Sequence, residues 1–431
     1  MHIYFSGIGG TGISSLALIA HEAGYEVSGS DARPSQYLDY LKKHGVTNTH
    51  IGVDREFIAA VHAKNPIDWF VYGSAQPMDF PDHPEFKFCE QAGIKQSKRD
   101  EFLSQLITDK GLKLIAVAGT HGKSTTAAML LWLAQQLDIK ASWSVGAKMS
   151  FADIGHFEPN SQYFIYEADE FDRNFLSFYP HIALITGIDW DHPDIYPTRE
   201  SYEDAFREFL SQSERAVLWH ADADRLDLEQ SANFLILDDT DPAIDDQMKL
   251  AGHVNRLDGW LAAKALAQLP QFPLAQNLEA LNNFPGLSRR FEKIAENIYS
   301  DYAHTPGKIR GALQLAHEVA GQNVVVVYEG LHNLRQHFIK DDLADLFDSV
   351  KQLYIVPTFL GREDPNLEVL TPDKLLNLLS NPAKEKSHAA KLNDELRTAI
   401  QEHIEAGDLV LCLSSGSAGS LDEWLREEFS T

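Results

Sequence analysis

The residues with the clearest chemical potential lie in a glycine-rich stretch after the first quarter of the chain. An apolar run, Leu114–Ala118, leads into Gly119-Thr120-His121-Gly122-Lys123-Ser124-Thr125, and a helical apolar pattern follows. In a Gly-Lys-Ser sequence of this kind, backbone N–H groups cradle phosphate, Lys123 reaches the terminal phosphates and the Ser124 hydroxyl is placed for Mg²⁺. Val117 stands where the general pattern has its leading glycine. Because strand, loop and helix occur in the required order, the sequence predicts a phosphate-binding loop.

Carboxylates cluster at the end of a second apolar run. Tyr163–Glu170 has the pattern of a buried strand that ends in Glu167, Asp169 and Glu170. In a parallel sheet this end would lie beside the phosphate-binding loop, and Mg²⁺ prefers one or two carboxylates together with phosphate oxygens and water. We therefore expect a magnesium ligand here, with Glu167 the strongest candidate. A solvated acidic turn is the competing interpretation for Asp169 and Glu170.

A third apolar run carries a histidine next to acidic residues. The run His181–Ile188 leads into Asp189-Trp190-Asp191-His192-Pro193-Asp194. Imidazole is a common metal ligand, but an isolated histidine such as His192 is more often structural or exposed. This segment gains meaning only in combination with the other motifs.

The chain opens with another glycine-rich turn. The predicted strand His2–Ser6 runs into Gly7-Ile8-Gly9-Gly10-Thr11-Gly12, and a second strand near Glu26–Gly29 is followed by Asp31. Glycines here allow a tight turn and close approach of a diphosphate to a helix N-terminus, and the acid can accept a hydrogen bond from a ribose hydroxyl. Alone, this pattern would suggest a nicotinamide enzyme. The alternative is that the glycines merely form a tight strand-to-helix turn.

These motifs need a scaffold that alternates strands and helices. Three segments each begin with a β-rich apolar run and a glycine-bearing turn, which predicts three α/β domains. We expect a Rossmann-like N-terminal domain, a central P-loop ATPase-type domain and a Rossmann-like C-terminal domain. The polar stretch Thr108–Lys113 and the Pro-Gly break within Asn282–Ser288 suggest domains at 1–108, 109–284 and 285–431.

Composition limits the classes of partner. With 37 basic and 63 acidic residues the net charge is −26, which disfavours nucleic acid and anionic membranes as partners. The N-terminus lacks a signal pattern and the longest uncharged apolar run, Ala127–Ala134, is too short to span a bilayer. We expect a cytoplasmic protein without membrane insertion. Cys89 and Cys412 lie in no metal-binding or disulfide pattern.

Taken together, the motifs resemble the Mur ligases in order and spacing, over nearly the whole chain. They are Gly9-Gly10-Thr11-Gly12 with Gly29-Ser30-Asp31, Gly119-Thr120-His121-Gly122-Lys123-Ser124-Thr125, Glu167-Ala168-Asp169-Glu170, Asp191-His192, and Asp301-Tyr302-Ala303-His304. The resemblance implies that the first domain holds UDP-N-acetylmuramate, the central domain holds ATP, and the C-terminal domain supplies the amino acid.

The resemblance also implies roles for single residues. Lys123, His192, Asp301 and His304 would serve the reaction, and Arg335 would bind the amino acid. Ser124 and Glu167 would hold one Mg²⁺ and His192 a second. ATP would be bound by Gly119, Thr120, His121, Gly122, Lys123, Ser124, Thr125, Asn255 and Arg290, the last beside Arg289. The UDP-sugar would be bound by Gly7, Gly9, Gly10, Thr11, Gly12 and Asp31.

The implied reaction joins L-alanine to UDP-N-acetylmuramate through an acyl phosphate, in peptidoglycan precursor synthesis. One alternative function is a murein-recycling reaction, in which the acceptor is the tripeptide L-alanyl-γ-D-glutamyl-diaminopimelate; Glu329, Asn333 and Ser414–Gly419 resemble that enzyme. A second alternative is that the protein is a non-catalytic nucleotide-binding homologue, because Gly187, Val254 and Asp258 depart from the family pattern. The stretch Leu218–Leu250 is also short for the family. We expect a monomer or weak homodimer.

Overall fold

The computed structural model describes residues 1–73, 76, 82–192, 195–360, 363–364, 366–414 and 419–429. The chain divides into two compact units. The first comprises Met1–Met248 with Leu257–Phe284, and the second comprises Lys249–Arg256 with Pro285–Thr431. Within the described residues, we find no helix with the length and apolar character needed to cross a membrane.

The first unit begins with a five-stranded parallel sheet of order β3-β2-β1-β4-β5. Its central strand is apolar and fully buried at Ile3, Tyr4 and Phe5, as expected for a parallel strand covered on both faces. This order brings the carboxyl ends of β1 and β2 together beneath the first glycine turn. The strands are β1 (His2–Ser6), β2 (Glu26–Asp31), β3 (Thr49–Ile51), β4 (Trp69–Tyr72) and β5 (Lys95–Lys98).

Five described helices accompany this sheet. The first is mostly buried, from Ile13 to Ala20, and the second and third are capped by the side chains of Ser35 and Asp54. Such caps satisfy backbone N–H groups that the helix leaves unpaired. The helices are α1 (Thr11–Glu22), α2 (Gln36–Lys43), α3 (Arg55–Lys64), α4 (Pro84–Ala92) and α5 (Arg99–Asp109).

The same unit contains a seven-stranded sheet of order β12-β11-β10-β6-β9-β7-β8, parallel except for the β7–β8 pair. The strands are β6 (Lys113–Ala118), β7 (Ala141–Ser144), β8 (Gly155–His156), β9 (Tyr163–Glu167), β10 (Ile182–Ile185), β11 (Ala216–Trp219) and β12 (Phe234–Leu237). The helices are α6 (Lys123–Gln136), α7 (Arg199–Ser211), α8 (His220–Arg225), α9 (Pro242–Gln247), α10 (His253–Leu266) and α11 (Leu274–Leu281), with a 3₁₀ segment at Phe171–Ser177. Helix α10 belongs to this unit from Leu257 onward. Strand β6, which leads into the phosphate-binding loop, pairs with β9 and β10.

The second unit has a six-stranded sheet of order β13-β14-β18-β15-β16-β17, parallel except for the β13–β14 pair. The strands are β13 (Glu292–Ala295), β14 (Ile298–Asp301), β15 (Val324–Leu331), β16 (Gln352–Phe359), β17 (Ser387–Ala389) and β18 (Leu409–Leu413). The helices are α12 (Pro306–Ala320), α13 (Asn333–Ile339), α14 (Pro372–Leu378), α15 (Asn381–Lys384), α16 (Asp394–Glu405) and α17 (Leu421–Phe429), with a 3₁₀ segment at Lys340–Leu343.

Three mostly parallel sheets with helices confirm the predicted α/β class. Two strand lengths were overestimated. The run His181–Ile188 forms a strand only over Ile182–Ile185, because the Thr186 hydroxyl donates to the backbone carbonyls of Ala118 and His121 and Gly187 turns the chain with a φ of 148°. The run that ends in three carboxylates leaves the sheet at Glu167.

Candidate active site

The phosphate-binding loop lies between β6 and α6, as predicted. Gly119 has a φ of 136° and faces Thr186 and Gly187 so closely that a Cβ could not be accommodated. Gly122 has a φ of 77° and forms the N-cap of α6, and as a glycine it has no side chain to cap that helix end. Both positions therefore require glycine. The first N–H groups of α6 remain available to an anion, which the helix dipole also favours.

Lys123 pairs with the last of the three carboxylates. Its Nζ lies 2.8 Å from Glu170 Oε2 and donates to the Gly119 carbonyl at 2.5 Å. Burial alone would lower the pKa of Lys123, but Glu170, together with Glu167 and Asp169, outweighs the effect of burial and raises that pKa. Glu170 is only 1% exposed, so the alternative that it belongs to a solvated acidic turn is wrong. The pair holds a lysine cation beside the phosphate-binding loop.

Ser124 and Glu167 meet, as the magnesium prediction requires. The Ser124 hydroxyl donates to Glu167 Oε1 at 2.7 Å, and the Gly146 N–H donates to Glu167 Oε2 at 2.7 Å. Within the described part of the chain, no group of three or more His, Cys, Asp or Glu side chains could hold a metal by itself. One hydroxyl and one carboxylate fit a cation such as Mg²⁺, whose other ligands are phosphate oxygens and water.

His192 lies near Glu170, the carboxylate that pairs with Lys123. Its Nε2 is 3.8 Å from Glu170 Oε1 and 3.9 Å from Asp191 Oδ2, and its ring packs edge-on against Phe171. Its φ of 53° lies in the left-handed region, which is uncommon for a residue with a side chain. The structure thus brings His192 to the Lys123–Glu170 pair, whereas Pro193 and Asp194 lie outside the described residues.

The remaining loop residues anchor it to neighbouring elements. The buried Thr120 hydroxyl lies 2.7 Å from the Asp189 carbonyl and 2.8 Å from Tyr202 Oη. His121 Nε2 lies 3.6 Å from an Asp189 carboxylate oxygen, and Thr125 belongs to the first turn of α6.

Asp258, on α10, faces the phosphate-binding loop. A Cβ at Gly122 would approach its carboxylate to 2.6 Å. This departure from the family pattern therefore introduces an anionic side chain next to the loop.

The first glycine turn is tied down by Asp31. Its Oδ2 accepts the Gly9 N–H at 2.9 Å and its Oδ1 accepts the Arg33 N–H at 3.1 Å. Gly7 adopts a φ of 72°, and its N–H donates to the Ser30 carbonyl. The exposed residues Gly10, Thr11 and Gly12 lie at the start of α1, and the N-cap residue Gly10 has no side chain to cap the helix. The acid at the end of β2 thus shapes the turn itself, a role that its predicted contact with ribose did not include.

A cavity of about 290 Å³ connects the two glycine motifs within the first unit. Its walls include Thr11, Gly12, Arg99, Lys123, Glu167 and Asp169. The start of α1 and the phosphate-binding loop therefore line one shared cavity. The cavity offers a place where groups held at the two loops can meet.

In the second unit, Asp301 and His304 lie at the carboxyl end of β14. Asp301 accepts the N–H groups of Phe291 and Ala303, each at 2.8 Å, and burial raises its pKa against the opposing charge of Arg290. Burial lowers the pKa of His304 to about 3, and Lys308, Arg335 and Arg290 act in the same direction. Arg290 and Arg335 therefore both act electrostatically on this acid–histidine cluster.

Asn255, a predicted ATP-binding residue, lies in the segment Lys249–Arg256 of the second unit. Its side-chain amide donates to the Ala251 carbonyl. The preceding residue, Val254, is exposed.

The residues that favoured a tripeptide acceptor are also occupied. Asn333 is buried and uses both ends of its amide on the backbone of Glu368 and Leu370. Glu329 accepts from the Ser414 hydroxyl and the Leu421 N–H, and residues 415–418 lie outside the described residues. These contacts give Asn333 and Glu329 a structural function.

Sequence reasoning missed Arg99 and its supporting network. Arg99 Nε donates to Asp100 at 3.1 Å, and Asp100 accepts from Tyr166 Oη at 2.6 Å. The one available signal was its position directly after β5, at the edge of the sheet where ligands bind in such folds.

A phosphate-binding loop, an open diphosphate-type glycine turn and a joint cavity define a nucleotide-dependent enzyme of the three-sheet α/β class. Family models agree: residues 2–110 match the Mur ligase family catalytic domain, residues 117–236 the Mur ligase middle domain, and residues 289–416 the Mur ligase glutamate ligase domain. The chain belongs to the Mur ligase family, and it is an ATP-dependent amide ligase.

Relatives match the chain from end to end. UDP-N-acetylmuramate–L-alanine ligase from a Nocardioides species is 30% identical over 97% of this chain and 94% of its own length. The enzyme of the same name from Clostridium perfringens is 27% identical over 98% and 96%. The UDP-N-acetylmuramate-alanine ligase structure from Thermotoga maritima superposes with a TM-score of 0.71 at 22% identity, covering 97% of this chain and 96% of its own. A murein peptide ligase from Psychrobacter arcticus gives 0.61 at 22%, covering 96% of each. Both structures share the fold.

Proposed function

We propose that this protein joins L-alanine to UDP-N-acetylmuramate at the expense of ATP, in peptidoglycan precursor synthesis. The observation that carries the proposal is the cavity between the first glycine turn and Lys123, because it connects a diphosphate-type site with a phosphate-binding loop. Relatives that carry the corresponding name over 90% or more of their length support the same substrates.

The chemistry requires an activated carboxylate. A carboxylate resists attack by an amine, since the leaving group would be oxide. In the proposed reaction, a carboxylate oxygen of the sugar acid attacks the γ-phosphorus of ATP, the bond to ADP breaks, and an acyl phosphate forms. The amine nitrogen of L-alanine then attacks the acyl carbon, the amine loses a proton and inorganic phosphate leaves. Bringing both reactants into one cavity lowers the barrier through proximity and orientation.

Lys123 and the open end of α6 would stabilise the negative charge of the transferring phosphoryl group. Ser124 and Glu167 would hold one Mg²⁺, and His192 would contribute to a second. A bound Mg²⁺ would supply positive charge to the phosphate oxygens. The chain as a whole is acidic, so it offers positive charge only at single sites. The Glu170 contact would keep Lys123 charged and aimed at the loop. Asn255 and Arg290 complete the proposed nucleotide contacts.

Arg335 is the proposed partner of the amino-acid carboxylate. It is exposed on α13, and its positive charge helps to lower the pKa of the buried His304. A guanidinium can hold a carboxylate by two parallel hydrogen bonds, which would fix the direction in which the amine attacks. Asp301 and His304 would line the same site from β14.

The domain boundaries form part of the proposal. A boundary near 108 is supported by the end of α5 at Asp109 and the start of β6 at Lys113. A boundary near 284 is supported by the second unit, which resumes at Pro285.

The proposal is tested by measuring phosphate release with UDP-N-acetylmuramate, ATP and one amine at a time. We expect L-alanine to give the highest kcat/KM, glycine to be poorer by roughly 10- to 200-fold because one methyl group is worth about 1 to 3 kcal/mol, and the tripeptide to be far poorer. A higher kcat/KM for L-alanyl-γ-D-glutamyl-diaminopimelate would assign the recycling reaction instead. Nucleotide binding without phosphate release under any amine would point to a non-catalytic homologue.

A further inference from the structure

Arg99, the first residue of α5, lies in the cavity between the two glycine motifs. We propose that its guanidinium binds an oxyanion of the sugar-acid substrate, and so acts as a substrate-binding residue in addition to those of the motifs. This inference rests on the proposed function. The inference identifies Arg99 as the cation that binds the substrate between the diphosphate site and the phosphate-binding loop.

The cavity needs a second cation, and Arg99 supplies it. Among the described residues that line the cavity, Arg99 and Lys123 are the basic ones. Lys123 is part of the phosphate-binding loop and is paired with Glu170. The sugar acid brings a diphosphate and a carboxylate into the same space, where Glu167 and Asp169 already contribute negative charge. Arg99 is therefore the side chain suited to neutralise the substrate.

The guanidinium is directed at the start of α1. A Cβ placed on Gly12 would collide with Arg99 Nη1, so this nitrogen lies directly against the open helix end. The N-cap residue of α1, Gly10, has no side chain to cap the helix, and the N–H groups and dipole of the helix end favour an anion. Two independent cationic features, a helix end and a guanidinium, converge on one point. Gly12 is the position where an added side chain would separate them.

The rest of the side chain is held in place by acidic residues. Nε donates to Asp100 at 3.1 Å, Nη2 contacts Asp169 at a long 3.5 Å, and Asp100 is itself held by the Tyr166 hydroxyl at 2.6 Å. Among the described residues, Nη1 donates to none. A guanidinium fixed through one edge and open at another is preorganised to bind an oxyanion, which limits the entropy lost on binding.

Charge loss at Arg99 is excluded under ordinary conditions. Burial by itself would lower the pKa of Arg99, but Asp100, Tyr166 and Asp169 raise it above its usual range. The weak Asp169 contact can be exchanged for a substrate oxygen without displacing Asp100. Asp169 would thus keep the guanidinium in position until an oxyanion replaces it.

The test is calorimetric binding of three uridine nucleotides to the full-length wild type, Arg99→Ala, Arg99→Lys and Arg55→Ala. UDP carries only the diphosphate, UDP-N-acetylglucosamine adds the sugar, and UDP-N-acetylmuramate adds the carboxylate. Arg55 is an exposed arginine of the same unit, on α3, bonded to Gln91, so its removal changes the net charge equally. ATP binding to each variant checks that the unit is folded.

We expect Arg99→Ala to weaken UDP-N-acetylmuramate binding by roughly 10- to 100-fold, the worth of a charge-assisted hydrogen bond. Arg99→Lys should recover part of this lost affinity. Arg55→Ala should change the affinity for UDP-N-acetylmuramate by less than about 2-fold, because a surface charge is screened by solvent and salt. Equal weakening of all three ligands would assign Arg99 to the diphosphate, and weakening of UDP-N-acetylmuramate alone would assign it to the carboxylate.

Failure of this inference can be distinguished from failure of the proposed function. If Arg99→Ala binds UDP-N-acetylmuramate as the wild type does, the inference is overturned while the proposed function stands. If the wild type itself does not bind UDP-N-acetylmuramate, the proposed function fails first. Loss of ATP affinity together with sugar-nucleotide affinity in Arg99→Ala, with no recovery in Arg99→Lys, would show a purely structural role and also overturn the inference.

Discussion

Substituting Lys123 by methionine would remove the phosphate-binding cation and leave a buried carboxylate behind. The Nζ–Oε2 distance to Glu170 is 2.8 Å, which at an effective dielectric constant of about 20 corresponds to roughly 6 kcal/mol of attraction. Desolvation offsets part of this, and removing one partner of a buried pair typically costs about 3 to 5 kcal/mol. Lys123→Met should therefore lose stability as well as ligation.

The stability loss should depend on pH. Burial raises the pKa of Glu170 and Lys123 opposes that rise, so without the lysine the pKa of Glu170 rises further. A carboxyl group with a higher pKa in the folded state favours folding below its unfolded pKa of about 4.3, and this contribution is lost as pH rises through the folded pKa. The variant should be closest to wild-type thermal stability near pH 4 and furthest from it near pH 8.

The double variant Lys123→Met/Glu170→Gln separates the two losses. Because glutamine carries no charge, the double variant should recover most of the stability at pH 8, measured by thermal unfolding. It should not recover ligation, for which removal of a transition-state cation costs at least about 100- to 1,000-fold in kcat. UDP-N-acetylmuramate binding, measured by calorimetry, should stay close to wild type in both variants. Recovery of phosphate release in the double variant, or an equal loss of sugar-nucleotide affinity in Lys123→Met, would refute this reasoning.

Four further outcomes are expected. Asp31→Ala should weaken UDP-N-acetylmuramate binding roughly 3- to 10-fold, because the carboxylate fixes the Gly9 N–H in a hydrogen bond worth about 1 kcal/mol; tight, saturable NADH fluorescence would instead indicate a dehydrogenase. Asp258→Asn should bind ATP severalfold more tightly by calorimetry, since it removes a negative charge beside the phosphate-binding loop; unchanged or weaker binding would contradict this. Burial lowers the pKa of His304 to about 3, so the neutral ring should contribute no ionisation to kcat/KM between pH 5 and 9, and an inflection lost in His304→Gln would argue otherwise. Arg335→Ala should raise the KM for L-alanine by roughly 10- to 100-fold while ATP affinity stays constant; an unchanged KM would show that Arg335 is only a surface residue.

Local signals were sufficient to predict the two βα units that carry the glycine motifs, β1–α1 and β6–α6. The turn after β1 and the phosphate-binding loop were predicted because glycine spacing, strand periodicity and the following helix all lie within a few residues of one another. The family resemblance added the second unit's motif, Asp301 to His304, which no local chemistry would have made informative. Strand ends were less predictable, since Thr186 bonds to a loop that is 65 or more residues away in sequence.

The sequence by itself determined the α/β class, the two glycine motifs and the residue types available for phosphate chemistry, because these depend on short-range periodicity and backbone conformation. Only the tertiary structure decided that Glu170 pairs with Lys123, that Asp31 holds its own turn, and that Arg99 faces Gly12 across a shared cavity. Arg99 and Gly12 are 87 residues apart, and the order of parallel strands, which no local pattern encodes, brings them together. Charge partners and cavities arise from such long-range packing, so they could not be predicted from local sequence patterns.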